Sequence, residues 1–278
     1  MLEPVDRQRR ERLLQGVEQA GRQVMAIYRR DFSVESKADD SPLTEADLVA
    51  HRCLMELLQD VLPGVPVLSE ESDLAAYEVR RQWTRYWLID PIDGTKEFIK
   101  RNGEFTLNVA LIEGCVPRFG VVHAPALGTT WWGQQGEGAF RIDDGRSRAI
   151  EARQLPDPAQ EPWKIVGSRS HGSAAFEAFC RALPAHERVT MGSSLKLCLV
   201  AEGAADLYPR LVPTCEWDTA AAHAVVLAAG GDVLEAQTLA PLRYNRKESL
   251  YNPDFIVCRG RDERWIEALR TALRSVDM

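Results

Sequence analysis

The most informative stretch of this chain is Leu88-Ile89-Asp90-Pro91-Ile92-Asp93-Gly94-Thr95. Residues 86–89 are apolar and predict a buried strand. Because Pro91 lacks the N–H that a strand ladder needs, we expect the backbone to turn after Asp90. In such a turn Asp90 and Asp93 can point into one cleft beside the carbonyl oxygen of Ile92, and hard cations such as Mg²⁺ prefer these oxygen ligands. The stretch therefore predicts a magnesium site, although the same residues also make an ordinary turn.

Gly94 and Thr95 follow the two carboxylates and precede a short predicted helix over residues 96–100. The first N–H groups of a helix have no partner within the helix, and the helix dipole is positive at that end. We therefore expect this turn to suit a phosphate group.

Other acidic residues stand at the ends of predicted elements. Glu70 follows a short strand, Asp47 completes a predicted capping box, and Asp218 opens an alanine-rich helix. Each has a simpler explanation, as a solvated turn, a helix-capping residue or an N-cap. Clustered carboxylates, however, are tolerated only with cations among them. Because these residues occur together in one chain, they indicate a phosphatase site with several magnesium ions.

The composition is that of a soluble globular protein. Of 278 residues, 45% are hydrophobic and 27% are charged. The formal net charge of −7 argues against binding of long nucleic acid, which requires a clustered basic surface. A few local cations could still hold a small nucleotide.

The sequence also bears on location. No apolar run reaches the roughly 18 residues of a membrane-spanning helix, and the charged N-terminus lacks the apolar core of a secretory signal. The six cysteines are widely spaced without a CxxC pair, which indicates buried thiols in a reducing compartment. We expect a cytoplasmic protein. Peripheral attachment to the cytoplasmic side of the inner membrane stays open, as does the choice between monomer and homodimer.

The pattern of predicted elements changes near residue 155. Residues 106–150 contain short strands separated by Gly and Pro, which predicts an antiparallel sheet. Past three prolines at 156, 158 and 162, strands alternate with helices, which is typical of an α/β arrangement. We predict an N-terminal α+β domain, residues 1–155, that carries most metal ligands. A C-terminal α/β domain, residues 156–278, would complete the metal site and form the nucleotide pocket.

In combination, these motifs resemble those of the lithium-sensitive, Mg²⁺-dependent phosphomonoesterases of the inositol monophosphatase superfamily. The motifs shared with the whole superfamily are Ser69-Glu70-Glu71, residues 87–95 and Trp217-Asp218-x-Ala220-Ala221. Further motifs resemble the CysQ-type 3′(2′),5′-bisphosphate nucleotidases: residues 94–106, Gly192-Ser193-Ser194-Leu195-Lys196, Asp206-Leu207-Tyr208-Pro209-Arg210 and residues 243–253. The resemblance covers residues 37–257 at least.

The resemblance implies a layered αβαβα sandwich of the inositol monophosphatase type, of mixed α+β and α/β class, with the active site between its halves. It implies two Mg²⁺ ions, and a third near Asp47 and Glu70 is a further option. The implied ligands of the first ion are Glu70, Asp90 and the Ile92 carbonyl, and those of the second are Asp90, Asp93 and Asp218.

The resemblance also implies catalytic roles. Asp47 and Thr95, assisted by Glu70, correspond to the residues that position and activate the attacking water. Gly94 and Thr95 correspond to the phosphate-binding turn. One local departure is the charge of Glu216 beside the Trp-Asp motif, which we expect to alter the edge of the pocket.

Nucleotide-binding residues are implied as well. His171 corresponds to a histidine that approaches the adenosine, while Lys196 and Arg210 suit the second phosphate, an anion that the metals do not neutralise. His171 could equally be a loop histidine, and the two cations could be surface charges. The implied substrate contacts are Glu70, Ile92, Asp93, Gly94, Thr95, His171, Ser193, Lys196, Arg210 and Asp218.

The resemblance implies Mg²⁺-dependent hydrolysis of adenosine 3′,5′-bisphosphate to AMP and phosphate, and it links this reaction to sulfate assimilation. An inositol-1-phosphate or other sugar phosphatase on the same fold is the alternative. A non-catalytic metal or nucleotide sensor is disfavoured, because a binding protein has no use for a water-activating pair. The preference among adenosine bisphosphate, its sulfated form and inositol phosphates stays open.

Overall fold

Two long helices form the outermost layer of the N-terminal half. They are α1 (Arg7–Tyr28) and α2 (Glu45–Val61) in a computed structural model that describes residues 5–36, 42–168 and 173–274. Apolar residues recur along α1 at three- and four-residue steps, and the buried face includes Leu13, Val17 and Val24. This spacing places the apolar residues of α1 on one face, which is buried.

The connection between these helices ends in a capping motif. It contains the paired strands β1 (Val34–Ser36) and β2 (Pro42–Thr44). Thr44 is the N-cap of α2, and its backbone N–H donates to the carboxylate of Asp47 over 2.8 Å. The predicted capping box is therefore present, and it fixes the position of the Asp47 side chain.

A seven-stranded sheet lies beneath α1 and α2. Its strands lie side by side in the same order as in the chain. They are β3 (Val67–Ser69), β4 (Arg85–Asp93), β5 (Thr106–Glu113), β6 (Val116–Ala124), β7 (Thr129–Gln134), β8 (Gly138–Asp143) and β9 (Arg146–Ile150). Only the first pair of this sheet is parallel, so the predicted antiparallel sheet over residues 106–150 is confirmed. Two short helices, α3 (Tyr77–Arg80) and α4 (Thr95–Ile99), flank β4.

Strand β4 differs from the expected turn after residue 90. It continues through Pro91 to Asp93, with Asp90 opposite Asn108 and Asp93 opposite Thr106. Three steps on β4 thus match two steps on β5, which is a β-bulge. Regular alternation would place the two aspartates on opposite faces, whereas the extra residue returns them to one face. The proline is accommodated because a bulge leaves its position without a ladder hydrogen bond.

The remaining elements belong to the second half of the chain. They are β10 (Trp163–Ser168), α5 (Ala174–Ala182), β11 (His186–Met191), α6 (Leu195–Ala201), β12 (Tyr208–Arg210), α7 (Glu216–Ala228), β13 (Asp232–Glu235), β14 (Phe255–Cys258) and α8 (Glu263–Arg274). β10 and β11 pair in parallel, and β12, β14 and β13 form a three-stranded antiparallel sheet in that order.

The layers explain how the two halves meet. α7 packs on the face of the large sheet opposite α1 and α2, and it also contacts β13 of the small sheet. The other side of the small sheet is covered by α5 and α8 around Trp163 and Trp265. The result is the expected αβαβα order.

Close packing of α7 on the sheet depends on a glycine. A Cβ added to Gly120 on β6 would lie 2.2 Å from the backbone oxygen of Ala221 and 2.8 Å from the side chain of Ala224. Both neighbours belong to α7, so any larger side chain would displace this helix. Since α7 carries Asp218 in its first turn, this contact helps to place a site residue.

The prediction of buried thiols is correct for three of the six cysteines. All six are free; Cys180, Cys198 and Cys258 are buried, whereas Cys53, Cys115 and Cys215 are partly exposed. Among the described residues, the helices include none that is long and apolar enough to cross a membrane.

Candidate active site

Three carboxylates from distant parts of the chain meet beside the bulge of β4. Oxygen atoms of Asp90, Asp93 and Asp218 all lie within 4.8 Å of one another. These residues line a cleft of about 280 Å³, and Glu70 lines it as well. The bulge brings the first two aspartates together, and the packing of α7 on the sheet brings the third.

Asp90 is the most deeply buried of the three. Its side chain is 1% exposed, and its Oδ1 atom has no hydrogen-bond partner among the described residues. Burial and the nearby carboxylates of Glu70 and Asp93 raise the pKa of Asp90 well above its usual range. An unpaired oxygen of this kind is costly unless a cation compensates it.

Asp93 is fixed by groups from the second half of the chain. Its Oδ2 accepts hydrogen bonds from the Ser193 hydroxyl over 2.8 Å and from the Ser194 backbone N–H over 2.6 Å. Asn108, on the neighbouring strand, places its Nδ2 atom 3.4 Å from the same oxygen. Ser193, Ser194 and Asn108 all contact Oδ2, so none of them occupies the other carboxylate oxygen of Asp93.

Asp218 occupies the first turn of α7. Its Oδ2 accepts hydrogen bonds from the Thr214 hydroxyl over 2.6 Å and from the Cys215 backbone N–H over 2.9 Å. Burial, followed by the Asp93 carboxylate, raises the pKa of Asp218 to about 7. Asp218 therefore lies at the start of α7, as predicted. The hydrogen bonds of the helix cap orient its carboxylate, and the side chain still lines the cleft.

A further carboxylate, that of Asp47, lies beside Thr95. The Thr95 hydroxyl is 3.3 Å from Asp47 Oδ1 and 3.2 Å from the backbone oxygen of Ile92. Asp47 is 1% exposed, and its other oxygen accepts a 2.6 Å hydrogen bond from the Thr44 hydroxyl. The capping box therefore holds Asp47 so that its Oδ1 faces Thr95.

The turn between Asp93 and Thr95 requires glycine. Gly94 has a φ of +92°, in the left-handed region that L side chains rarely adopt. A Cβ there would also approach the Glu104 backbone oxygen to 3.2 Å. Gly94 and Thr95 both line the cleft beside the carboxylates, as predicted.

Two cations from the C-terminal half line the same cleft. Lys196 is 7% exposed, and its Nζ donates to the Ser193 backbone oxygen over 2.6 Å. Burial lowers the pKa of Lys196 to about 8, against the opposing effect of Asp93. Arg210 donates from Nη2 to the Pro213 backbone oxygen over 2.9 Å, while its buried Nε has no partner among the described residues. The alternative that Lys196 is a surface charge is wrong.

The donor set suits a hard divalent cation. It consists of carboxylate oxygens and a backbone carbonyl, and the described residues that line the cleft include no sulfur or imidazole group. The unpaired Oδ1 of Asp90 lies within this cluster, and mutual repulsion of the carboxylates is relieved by positive charge between them. Glu70, Asp90, Asp93, Asp218 and the Ile92 carbonyl are therefore the groups that would hold such ions.

The structure brings together most of the residues selected from the sequence. Those that line the cleft are Glu70, Asp90, Ile92, Asp93, Gly94, Thr95, Ser193, Lys196, Arg210 and Asp218. Asp47 joins them through Thr95, whereas His171 lies outside the described residues.

Glu216 does not alter the edge of the pocket. It is 2% exposed, and both of its carboxylate oxygens lie 2.9 Å from the backbone nitrogen of Asn245. Glu216 therefore fixes the segment around Asn245 to the start of α7. The expectation that its charge changes the substrate pocket is wrong.

Sequence reasoning missed Asn108 and Thr214, which orient the site carboxylates. Asn108 was detectable in principle, since it is a polar residue inside the apolar run 106–112 of a predicted buried strand. Thr214 carries no comparable signal, because a threonine before a helix is common. Its contact with Asp218 exists only in the folded chain.

Known proteins resemble this chain both in sequence and in fold. The sequence pattern of the inositol monophosphatase family matches residues 7–274. The chain belongs to the inositol monophosphatase family. This confirms the superfamily resemblance and the fold expected from it.

Relatives within the family include bisphosphate nucleotidases. The 3′(2′),5′-bisphosphate nucleotidase CysQ of Escherichia coli strain K12 is 48% identical over 240 residues, which cover 86% of this chain and 94% of that protein. The crystal structure of CysQ from Bacteroides thetaiotaomicron superposes with a TM-score of 0.79 at 40% identity, covering 91% of this chain and 97% of the other. The Thermotoga maritima IMPase, at 24% identity and a TM-score of 0.75, covers 94% and 96% and shares the fold.

Proposed function

We propose that this protein is a Mg²⁺-dependent 3′(2′),5′-bisphosphate nucleotidase that converts adenosine 3′,5′-bisphosphate to AMP and phosphate. The observation that carries this proposal is a single cleft in which a carboxylate cluster adjoins two cations, Lys196 and Arg210. The cluster suits metal ions and a phosphate, and the cations suit a second phosphate. The 48% identity to a CysQ nucleotidase supports the same substrate class.

The carboxylates would form two overlapping sets of metal ligands. Glu70, Asp90 and the Ile92 carbonyl would hold one ion, and Asp90, Asp93 and Asp218 a second. Divalent ions bound there would acidify a water molecule and offset the negative charge of the phosphate. The Asp90 carboxylate belongs to both sets, which fits its complete burial and its unpaired oxygen.

The water that attacks phosphorus would be oriented by Thr95 and Asp47. The Thr95 hydroxyl can donate a hydrogen bond to Asp47 Oδ1 while its oxygen accepts one from water. Asp47, held by the Thr44 cap, then acts as the proton acceptor at the end of this short chain. Glu70, which also lines the cleft, would assist in positioning this water. The bond from phosphorus to the ribose 3′ oxygen breaks as water adds, and the released oxygen takes up a proton from solvent.

The remaining part of the nucleotide would face the C-terminal half. Lys196 is charged below its pKa of about 8, and the Arg210 Nε is a buried donor without a partner in the described part of the chain. A second phosphate would supply the acceptors for both groups. Inositol-1-phosphate has one phosphate only, so it makes no use of these cations.

We propose the division at residue 155 as the domain boundary, since the cleft receives Glu70, Asp90 and Asp93 from one side of it and Lys196 and Asp218 from the other. A cytoplasmic location is proposed because the six cysteines are free thiols, which persist in a reducing compartment.

The test is turnover of two substrates by the purified protein. Adenosine 3′,5′-bisphosphate and inositol-1-phosphate are compared by phosphate release with Mg²⁺ and with excess EDTA, and AMP is identified by chromatography. We expect release of AMP and phosphate that EDTA abolishes, with a higher kcat/KM for the nucleotide. A higher kcat/KM for inositol-1-phosphate would favour the sugar-phosphatase alternative, and phosphate release unaffected by EDTA would contradict metal dependence.

A further inference from the structure

A set of uncharged, buried polar groups connects the carboxylate of Asp93 to the backbone of Asp218. Thr106 and Asn108 on β5 are 0% exposed, and Ser194 before α6 is 1% exposed. The Asn108 Nδ2 atom lies 2.8 Å from the Ser194 hydroxyl oxygen, and its Oδ1 accepts a 3.0 Å hydrogen bond from the Thr106 hydroxyl. The amide is therefore fixed at both ends.

Ser194 contacts both of the elements that carry carboxylates. Its backbone N–H donates to Asp93 Oδ2 over 2.6 Å, and its hydroxyl donates to the backbone oxygen of Asp218 over 2.5 Å. Asp93 and Asp218 are 125 positions apart in the sequence, one at the end of β4 and the other in α7. A single buried residue thus spans the distance between the bulge of β4 and the first turn of α7.

The chemistry of this connection suits a carboxylate pair. Asp93 and Asp218 repel each other, so that their separation needs restraint from the surrounding protein. Asn108 and Ser194 supply neutral donors and acceptors, which restrain position without adding charge that would compete with a cation. Partners of metal ligands that act in this way commonly change metal affinity by 10- to 100-fold when they are removed.

We propose that Asn108 and Ser194 are a pair of positioning residues that set the separation of Asp93 and Asp218 and so tune the affinity of this site for Mg²⁺. The inference rests on the proposed function, because it assumes that these carboxylates hold a divalent ion. It assigns no contact with substrate to either residue. Their effect is transmitted to Asp93 and to the start of α7.

The test measures Mg²⁺ binding directly, by calorimetric titration of the metal-free protein and by the rise in melting temperature on adding Mg²⁺. The variants are Ser194→Ala, Asn108→Ala and the double variant. The control is Thr130→Val, which removes a buried hydroxyl from the His123 hydrogen bond on β7, outside the cleft. We expect Ser194→Ala and Asn108→Ala each to weaken Mg²⁺ binding by about tenfold or more.

The double variant tests whether the two residues act together. Because one hydrogen bond joins them, we expect its Mg²⁺ affinity to resemble that of the weaker single variant rather than the product of both losses. In turnover assays, the Mg²⁺ concentration for half activation should rise much more than kcat at saturating Mg²⁺ falls. Thr130→Val should leave Mg²⁺ binding unchanged while lowering the melting temperature of the metal-free protein.

Each other outcome is decisive. Wild-type affinity for Mg²⁺ in Ser194→Ala and Asn108→Ala would overturn the positioning role, as would equal losses in Thr130→Val. If Ser194→Ala fails to fold, Asn108→Ala carries the comparison. Failure of the wild-type protein to bind Mg²⁺ would instead overturn the proposed function, and with it this inference.

Discussion

The Thr95 hydroxyl lies 3.3 Å from Oδ1 of Asp47, although 48 residues separate them in the sequence. The contact exists because the capping box of α2 holds the Asp47 carboxylate while the left-handed Gly94 turns the chain into α4. Asp47 thus has a structural role in the cap and a position suited to accepting a proton. The capping role and the catalytic role considered for Asp47 from the sequence are therefore compatible.

Asp90 and Thr95 should differ in how much activity depends on them. We expect Asp90→Asn to lower kcat by more than about 100-fold, the scale associated with misplaced reacting groups, because Asp90 is assigned to both metal positions. Thr95→Ala should lose less, since it removes only the orientation of water. Steady-state kinetics at saturating Mg²⁺ measure both, and circular dichroism checks folding. Retention of more than about a tenth of the activity by Asp90→Asn would contradict the shared-ligand role.

The second phosphate should account for specificity. Lys196→Ala and Arg210→Ala are each expected to lower kcat/KM for adenosine 3′,5′-bisphosphate by about 10- to 100-fold, the equivalent of one charge-assisted hydrogen bond of roughly 1.5–3 kcal/mol. Turnover of inositol-1-phosphate should hardly change, and this substrate is the internal control for folding. Equal losses on both substrates would move these residues out of nucleotide recognition.

Protonation of Lys196 should be visible in the pH profile. Burial lowers its pKa to about 8, so the ammonium is charged below that pH and neutral above it. We expect kcat/KM for the bisphosphate to fall as pH rises through about 8, because this ratio reports groups of the free enzyme. Lys196→Arg should shift the fall to higher pH, whereas the profile for inositol-1-phosphate should lack it. An unchanged profile in Lys196→Arg would assign the alkaline limb to another group.

A buried histidine should make stability depend on acid. His223 is 2% exposed, its Nδ1 lies 2.9 Å from the Tyr244 hydroxyl, and burial lowers its pKa to about 3 from 6.5. The unfolded chain binds the proton first, so the stability contribution is complete above pH 6.5 and is lost as pH falls toward 3. At pH 5 the loss is about 2 kcal/mol relative to pH 7 or above. Urea unfolding at several pH values should show this dependence reduced in His223→Gln.

A comparison of wild type with His223→Gln is needed because Glu216 acts in the opposite sense. Burial raises the pKa of Glu216 to about 7 from 4.5, so its contribution is present below pH 4.5 and is lost as pH rises toward 7. The difference between the two proteins removes this common term. A difference that does not vary between pH 5 and 7 would show that His223 is not the titrating group.

Much of the local structure follows from the sequence alone. The steps of Leu13, Val17 and Val24 define α1, and the Thr44–Asp47 box marks the start of α2, because helix periodicity and capping are local properties. The acidic residues of the site are also recognisable, since oxygen ligands occur at element ends in a pattern shared by the family. These residues can therefore be selected as candidates from the sequence alone.

Tertiary structure decided how these candidates meet. The bulge that turns Asp90 and Asp93 to one face depends on pairing with Asn108 and Thr106, which a period-two reading of β4 alone does not reveal. The burial of Lys196 and the hydrogen bond from Ser194 to the Asp218 carbonyl arise when α6 packs against α7 and α7 packs on the large sheet. The sequence determines which residues can bind a hard cation and a phosphate, because that is a matter of side-chain chemistry. Their distances, burial and proton affinities are set by contacts between segments far apart in the chain, so only the folded protein determines them.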